Sequence, residues 1–363
     1  MGDEIAGKPE TPRRAAPRAV PVTTMLDIAK LAGVSKSTVS RILNDAPSRV
    51  PIAADTRERV LAAASSVGYR PNPLARSLRG APTMLIGAVV RDFSDPFFAS
   101  AIEALAVEAI GHGYNIILGH LQGRSDQGVS LAAVLEPRHC DAIIILGDIQ
   151  DQPRLLEDLR KSPVPIVALW QGRSTIEFPT VDVDDRAGVM ASLDYLIALG
   201  HERIAFVSAA LPGENATREQ AFVDFMTVRF GPIPPGYLQR VPNSLAGGEL
   251  ALRRLLELPE PPTAIASSTD LAAVGVLHAV SVLGIRVPHD LSVVGFDDLV
   301  QAAYTVPALT TMRMPVTEIV GEGVRQAIEL ARDPSMAREP RVTMFEPTLI
   351  VRDSTASLVS RVG

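Results

Sequence analysis

The stretch from Thr24 to Asn44 reads TMLDIAKLAGVSKSTVSRILN, and its pattern predicts two short helices joined by a tight turn. Thr24 and Asp27 have the spacing of a capping box, in which side chains satisfy the N–H groups at a helix start. Gly33 supplies a turn residue that adopts a positive φ at little cost. Ser35 is a good N-cap for a second helix. This order of signals is typical of a helix-turn-helix.

The two helices are predicted to bury one face each. The first gathers its apolar residues at Leu26, Ile28, Ala29 and Ala32. The second, expected over Lys36–Leu43, would bury Val39 and Leu43 and present Lys36, Ser37, Thr38, Ser40 and Arg41 on its other side. A short helix edged with cations and hydroxyls suits the major groove of DNA. The alternative is an ordinary helical hairpin inside a core.

Charge is divided unevenly along the chain. Residues 1–80 hold 13 Lys and Arg against 7 Asp and Glu, and the remaining residues hold 22 against 34. A basic head on an acidic body favours a head that neutralises phosphates while the body stays in solution. A chance basic tail would explain only part of this excess, because Arg57, Arg59 and Arg70 lie beyond the tail.

Length and composition exclude several classes of protein. The 363 residues, 47% hydrophobic and 21% charged, are typical of a globular protein of two or three units. No run approaches the roughly 20 apolar residues of a membrane span, and the N-terminus lacks the apolar region of a secretory signal. Cys140 is the only cysteine, which excludes an internal disulfide. We therefore expect a cytoplasmic, nucleoid-associated protein without a membrane partner.

A third helix and a hinge are predicted to complete the head. Asp55 resembles an N-cap, Val60, Leu61, Ala64 and Val67 form an apolar stripe, and Gly68 is the expected residue after the helix. Asn72 and Pro73 then signal a helix that can run only to about Arg79. A helix so short forms only when something supports it. Leu78 beside Arg79 suits a wedge in the minor groove, and the alternative is a plain linker.

From Thr83 onward, apolar runs alternate with helical patterns, which predicts two α/β units with buried parallel strands. The predicted strands cover 84–90, 115–118, 142–146, 165–169, 203–208, 263–268 and 291–296. The predicted helices cover 99–110, 186–199, 246–256 and 271–283. Ligands of such units bind at the carboxyl ends of the strands, in the crevice between the halves.

Candidate ligand contacts follow several of these strands. Asp95, Phe97 and Phe98 come after the first strand and combine a carboxylate with two aromatic rings, which suits a sugar face or a flat base. Arg218 and Asp297 follow strands of the second half, and a carboxylate facing an arginine can hold vicinal hydroxyls. For Phe98 a role in the core is an equal alternative, and Asp298 is expected to cap a neighbouring turn.

Catalytic and metal sites are not expected. No G-x-G-x-x-G follows the first strand, no phosphate-binding P-loop is present, and the six histidines are scattered. The run Val181–Asp185 could suggest a metal site, but an exposed strand end followed by a helix N-cap explains it better. We predict no enzyme activity, no cofactor and no metal.

The residues from Thr23 to about Arg352 resemble the LacI/GalR family of transcription regulators. The matching motifs in the head are 27–29, 32–35, 38–44, 56–60, 68–72 and 75–78. Those in the body are 95–98, 199–206, 286–298 and 307–311. The resemblance implies an N-terminal all-α helix-turn-helix domain and an α/β core like the type I periplasmic binding proteins. The core would have two Rossmann-like subdomains, between which the chain crosses three times.

The resemblance also implies a domain division and site residues. We expect a tail at 1–22, the DNA-binding domain at 23–71, the hinge at 72–82, the core at 83–353 and a tail at 354–363. Within the core, 83–182 and 309–336 would form the N-subdomain, and 183–308 and 337–353 the C-subdomain. Base readers would be Lys36, Ser37 and Arg41, phosphate contacts Thr24, Thr38, Ser40 and Asn44, and hinge contacts Leu78 and Arg79. Effector contacts would be Asp95, Phe97, Phe98, Trp170, Arg218, Thr269 and Asp297.

Three departures from the family pattern bear on these expectations. The loop Asp45–Asp55 is about three residues longer than usual. Trp170-Gln171 replaces a common Asp-Arg pair, and Thr269 replaces a common Asn. The pocket has therefore lost polar groups and gained an indole, which suggests a sugar bound by stacking or a less polar ligand.

The resulting prediction is a homodimeric repressor that binds a near-palindromic double-stranded operator under the control of a small molecule, with a carbohydrate favoured. A corepressor-dependent regulator of purine or other metabolite genes is one alternative. A solute-binding protein without DNA function is another.

Overall fold

Three helices form the described part of the head. In the computed structural model, which describes residues 24–43, 52–69, 82–120, 139–172, 177–209, 214–333 and 341–358, the chain divides into two units on either side of Arg79. The helices of the first unit are α1 (Met25–Ala32), α2 (Lys36–Leu43) and α3 (Ala54–Ser66). Seven side chains form their common core: Ile28, Ala29, Ala32, Val39, Ile42, Val60 and Ala64.

The turn between α1 and α2 is the one that the sequence predicts. Gly33 has a φ of 65°, and the N–H of Val34 donates to the carbonyl of Ala29 at 3.0 Å. The hydroxyl of Ser35 accepts the N–H of Thr38 at 3.1 Å and so caps α2. A side chain therefore satisfies one of the free N–H groups at the start of α2.

Four local predictions in the head were wrong or incomplete, and one of them concerns Leu61, which was assigned to the apolar stripe of α3 but is exposed. Leu26 is half exposed and does not join Ile28, Ala29 and Ala32 in the core of the head. Ile42 is buried with Val39, and Leu43 is only partly buried against the same core. Helix α3 starts at Ala54 without a side-chain cap, so Asp55 lies inside the first turn and not at the N-cap.

A six-stranded parallel sheet forms the first half of the second unit. Its strands are β1 (Leu85–Val90), β2 (Asn115–His120), β3 (Ala142–Leu146), β4 (Ile166–Leu169), β5 (Thr180–Val183) and β11 (Val342–Phe345), in the order β11-β5-β4-β3-β1-β2. The helices α4 (Pro96–Gly111), α5 (Pro153–Lys161) and α10 (Val316–Arg332) belong to this half. Strands β1 and β3 are almost wholly buried, as the apolar runs predict.

A second six-stranded sheet forms the other half. Its strands are β6 (Ile204–Ala209), β7 (Leu238–Val241), β8 (Ala264–Ser267), β9 (Ser292–Asp297), β10 (Thr310–Arg313) and β12 (Thr348–Ile350), in the order β12-β10-β9-β8-β6-β7. Only the pair of β10 with β12 is antiparallel. The helices of this half are α6 (Asp185–Ala198), α7 (Glu214–Phe230), α8 (Leu245–Leu256) and α9 (Asp270–Leu283), with a 3-10 turn at Val300–Tyr304.

The chain crosses between the halves three times, after β5, after β10 and after β11. Two of the predicted subdomain boundaries were wrong. Strand β10 pairs with β9 in the second sheet, although 309–336 was assigned to the first half. Strand β11 pairs with β5 in the first sheet, although 337–353 was assigned to the second. These crossings depend on strand pairing over long sequence distances, which a local pattern does not report.

The predicted tail at 354–363 begins too early. Ser354 is fully buried, and its hydroxyl donates to the carbonyl of Val293 at 2.6 Å and accepts the N–H of Thr310 at 2.8 Å. The N–H of Leu358 donates to the carbonyl of Leu199. The segment 354–358 therefore closes the second half. The predicted tail at 1–22 and nearly all of the predicted hinge lie outside the described residues, and both stay predictions.

Candidate functional site

Helix α2 presents the predicted base readers to solvent. Val39 and Ile42 hold the helix in the core of the head, and Lys36, Ser37 and Arg41 are exposed. Anchoring by two buried side chains fixes which edge of the helix is free to contact a groove. The head therefore offers two cations and a hydroxyl along one exposed edge.

The predicted phosphate contacts lie around this edge. Thr24 is exposed at the start of α1, where its backbone N–H and its hydroxyl both donate to Asp27, at 2.9 and 2.7 Å. These bonds lower the pKa of Asp27. The hydroxyl of Thr38 lies 2.8 Å from that of Ser35, and Ser40 is half-buried. Asn44 and the hinge residues Leu78 and Arg79 lie outside the described residues.

In the second unit, Asp95 is the N-cap of α4, shortly after the carboxyl end of β1. Its Oδ1 accepts the N–H of Phe97 at 3.0 Å, and Pro96 occupies the first helical position, where a missing N–H costs nothing. Its Oδ2 accepts a hydrogen bond from Nδ2 of Asn243 at 2.8 Å, and Asn243 follows β7 in the second half. Burial raises the pKa of Asp95, and these hydrogen bonds lower it.

The bond to Asn243 is the middle of a chain of contacts between the two halves. The hydroxyl of Thr269 donates to Oδ1 of Asn243 at 2.9 Å and accepts the N–H of Ala272, so Thr269 also caps α9. Asp95 and Thr269 were predicted as ligand contacts, and the structure connects them through one amide. Asn243 was not predicted, since nothing in its local sequence distinguishes it from a turn residue.

Arg218 on α7 is almost completely buried and is held from several sides. Its Nε donates to Asp185 at 2.7 Å, and its Nη1 donates to the carbonyl of Ser268 at 2.6 Å and lies 3.4 Å from Asp297. Its guanidinium carbon lies 3.8 Å from the centre of the Phe296 ring. The predicted pairing of Arg218 with Asp297 is confirmed, and Asp185, which was not predicted as a site residue, makes the shorter contact.

The run Val181–Asp185 is a helix cap with buried acids. Asp184 accepts the N–H of Ala187 at 2.9 Å and caps α6, as expected. The strand end is not exposed as predicted, because Asp182 and Asp185 are each only 3% exposed. Burial, with the neighbouring Asp185 charge, raises the pKa of Asp182 to about 7. Among the described residues, no group of three or more His, Cys, Asp or Glu side chains is placed to hold a metal ion.

Trp170 lies at the end of β4, fully buried. Its ring meets that of Phe97 edge to face, with centroids 5.0 Å apart. Its indole Nε1 has no hydrogen-bond partner in the part of the chain that is described. Phe98 is a core residue, and its ring packs against Gly147 so closely that a side chain at that position would collide with it. An effector contact for Phe98 stays a prediction.

A cavity of about 570 Å³ opens between the two halves beside these residues, within the size range of small-molecule sites. Phe97 and Asp297 line it, and the other predicted effector contacts do not. Its remaining walls come from α4, from the segments after β9 and β10, and from β12: Ser100, Ala104, Asp298, Leu299, Val300, Arg313, Met314, Pro315, Val316, Thr317, Glu318 and Thr348. The carboxylate of Asp298 accepts hydrogen bonds from Nε of Arg313 at 2.7 Å and from Nη2 of Arg352 at 2.6 Å.

An exposed basic helix in the head and a two-sheet core with a cleft define a DNA-binding regulator with a periplasmic-binding-protein-like core. Comparison with known proteins agrees. Residues 24–72 match the family of bacterial regulatory proteins of the lacI type, and 193–355 match a periplasmic binding protein-like domain.

Relatives cover about nine tenths of the chain. The HTH-type transcriptional repressor CytR of Escherichia coli (strain K12) is 32% identical over 338 residues, which are 92% of this chain and 97% of CytR. A crystal structure of the lac repressor dimer bound to operator and the anti-inducer ONPF superposes with a TM-score of 0.81 at 25% identity, covering 92% of this chain and 99% of that chain. A complex of the regulator CelR with cellobiose superposes with a TM-score of 0.66 at 26% identity, with the same coverage.

The chain therefore belongs to the LacI family of bacterial transcriptional regulators. It is a sequence-specific DNA-binding protein of the repressor type. In the described part of the chain, none of the helices is long and apolar enough to span a membrane.

Proposed function

We propose that this protein is a dimeric repressor whose affinity for its operator is set by a small molecule bound between the two halves of the core. The observation that carries the proposal is the chain of contacts Asp95–Asn243–Thr269, which joins the halves directly. A ligand that bonds to any of these groups must change how firmly the halves are closed. Because its operator lies in the nucleoid, we expect the protein to act there, in the cytoplasm.

The DNA contacts are proposed on α2 and in the hinge. Lys36, Ser37 and Arg41 would read base edges in the major groove, since they are exposed on the side of α2 that faces away from the core of the head. Thr24, Thr38, Ser40 and Asn44 would bond to phosphates, which fix the position of the protein without reading sequence. Leu78, with Arg79, would wedge into the minor groove between two subunits on a near-palindromic site.

The charges around the cleft limit the class of effector. Asp95, Asp185 and Asp297 are buried near one guanidinium group, that of Arg218. A ligand carrying a carboxylate or phosphate would add a further negative charge to this surplus. An uncharged ligand rich in hydroxyl groups would donate to the carboxylate of Asp297, which lines the cavity. We therefore propose a neutral sugar or a related neutral compound as the effector.

Control of the operator would follow from a difference in effector affinity between two states of the core. A ligand shifts such an equilibrium only by that difference, and a coupling of about 1–3 kcal/mol, or 5–150-fold in affinity, is typical. We favour induction, in which the ligand weakens operator binding. Release by a ligand would require a change in closure that separates the hinges of the dimer.

The test has two stages. Selection from random DNA with the full-length protein should first return a near-palindromic site. Neutral sugars and nucleosides, each with its acid or phosphate counterpart, are then screened by thermal shift, because binding to the native state raises Tm. We expect a neutral compound to raise Tm and to change operator affinity, and its charged counterpart to do neither.

Each result has a distinct meaning. If the selection showed no preference among DNA sequences, the proposal of a repressor with a specific operator would be contradicted. A charged compound that alone raised Tm would contradict the effector class. A ligand that strengthened operator binding would favour the corepressor alternative over induction. The variant Asn243→Ala provides the control for the cross-cleft contact and should lose the effect of the ligand on operator affinity while α2 still selects the same site.

A further inference from the structure

Trp170 is the only tryptophan of the chain, and it is held in an unusual backbone conformation. Its φ is 57°, and Gly172, two residues on, has a φ of 65°. A bulky residue in this left-handed region costs energy and persists only where surrounding contacts fix it. The reversal Trp170–Gly172 therefore depends on the groups that bond to it.

Two side chains fix this reversal. The amide of Gln171 donates to the carbonyl of Gly147 at 2.7 Å and to that of Leu169 at 3.3 Å. Leu169 on β4 pairs with Val181 on β5, so Asp182 lies beside the turn. Its Oδ1 accepts the N–H of Val183 at 2.9 Å, and backbone hydrogen bonds from Gln171 and Gly172 lower its pKa. Three N–H groups thus converge on one buried carboxylate.

We propose that Asp182 is a positioning residue of the effector cleft: its ionised carboxylate holds the reversal and with it the indole of Trp170 against Phe97, and protonation of Asp182 releases the indole. The proposal rests on the proposed function only in treating Trp170 as an effector contact. The link between Asp182 and the indole belongs to the structure of the free protein.

The ionised form is the one that holds the turn. A carboxylate offers acceptor sites on both oxygens, whereas a protonated carboxyl group turns one of them into a donor. A donor facing the N–H of Gln171 or Gly172 would repel it. Protonation therefore weakens the set of bonds that keeps Trp170 in its left-handed conformation.

The surroundings place this change near neutral pH. Burial and the charge of Asp185 on α6 raise the pKa of Asp182 to about 7, and its three backbone hydrogen bonds lower it less. Arg218 on α7 is bonded to Asp185. Glu322 on α10 accepts a hydrogen bond from the amide of Gln326, which also donates to Thr343. Thr343 pairs with Val181, so its side chain lies on the face of the first sheet opposite to that of Asp182. Met344 is the sheet partner of Asp182 on β11.

Intrinsic fluorescence tests the proposal directly, since Trp170 is the sole indole. The emission of the free full-length protein, and its quenching by acrylamide, are followed from about pH 5 to pH 9. We expect the emission to shift and the quenching to rise as the pH falls, with a midpoint near 7. Asp182→Asn imitates the protonated carboxyl group and should show the acid-form emission at every pH.

The controls separate this role from a merely structural one. Asp194→Asn, the same change at an exposed position of α6, should keep the profile of the parent protein. Asp185→Asn removes the repelling charge and should move the midpoint to lower pH. A flat profile in the parent protein overturns the proposal even if Asp182→Asn does not fold, and so does an unaltered titration in Asp182→Asn. Because neither DNA nor ligand is present, the result is independent of the operator and effector experiments.

Discussion

Arg41 and Arg218 carry the same guanidinium group in opposite surroundings. Arg41 is exposed on α2, whereas Arg218 is buried and bonded to Asp185 and to the carbonyl of Ser268. The sequence predicts both as binding residues, since residue type and motif position are all it reports. The structure shows that Arg218 is already occupied by the protein itself, so a ligand would have to compete with these partners.

The base-reading role of Arg41 can be tested by Arg41→Ala. One bidentate contact to a base contributes about 1–3 kcal/mol of discrimination, so the variant should lose preference at one position of each half-site and keep the rest. Selection from random DNA measures this. Arg59→Ala removes an exposed arginine of α3 that pairs with Asp55, and it should return the parent consensus. If the consensus of Arg41→Ala were also unchanged, Arg41 would not read a base.

At the scale of elements, helices α8 and α9 touch backbone to backbone at two glycines. A side chain at Gly248 would lie 1.9 Å from the carbonyl oxygen of Ala272, and one at Gly275 would lie 2.1 Å from that of Leu245. Neither atom belongs to a side chain that could rotate away. The packing of this helix pair therefore requires glycine at both positions.

Gly248→Ala should lower the free energy of unfolding by about 1–3 kcal/mol or more, the cost of overpacking a core. Gly111→Ala is the matched control. Gly111 ends α4, and a side chain there would meet nothing within 4 Å. The control should be neutral or gain up to about 1 kcal/mol from helix propensity. Urea unfolding of both variants measures the difference, and equal stabilities would contradict the close approach of α8 and α9.

Among the strands, the sequence predicts the long buried ones better than the short polar ones. Strands β1, β3 and β9 are apolar runs that need both faces covered, and each was predicted within one or two residues. Strands β5, β7 and β10 have four residues each and include polar positions; β7 and β10 were missed, and β5 was predicted only as a strand end. A short strand of this kind is extended because its neighbours pair with it, which is information from distant parts of the chain.

At the scale of the whole molecule, several exposed apolar side chains are candidates for the interface of the proposed dimer. Val107 and Ile110 share a face of α4, and Val300, Tyr304 and Val306 lie in and after the 3-10 turn, where Tyr304 is 81% exposed. Large exposed patches of this kind mark interfaces. The lac repressor structure that superposes on this chain is a dimer on its operator.

Tyr304→Asp should therefore weaken the dimer, because a charge would be buried without a partner in the interface. Sedimentation should show a shift toward the monomer mass of 38.7 kDa, accompanied by weaker operator binding. Val228→Asp on α7 is the control, since Val228 is 90% exposed on a helix outside this surface. A dimer that survived Tyr304→Asp but not Val228→Asp would place the interface on α7 instead.

The sequence by itself determined the class of this protein. Capping residues, a turn glycine and apolar spacing act within a few residues of each other. They were therefore enough to predict the helix-turn-helix of the head, the alternation of strands and helices in the core, and most of the candidate residues at the strand ends. Only the tertiary structure decided which sheet β10 and β11 join, that Asn243 links Asp95 to Thr269, and that Asp182 holds the reversal at Trp170. These features depend on residues far apart in the chain, whose proximity is set by packing and strand pairing and is not written in any local pattern.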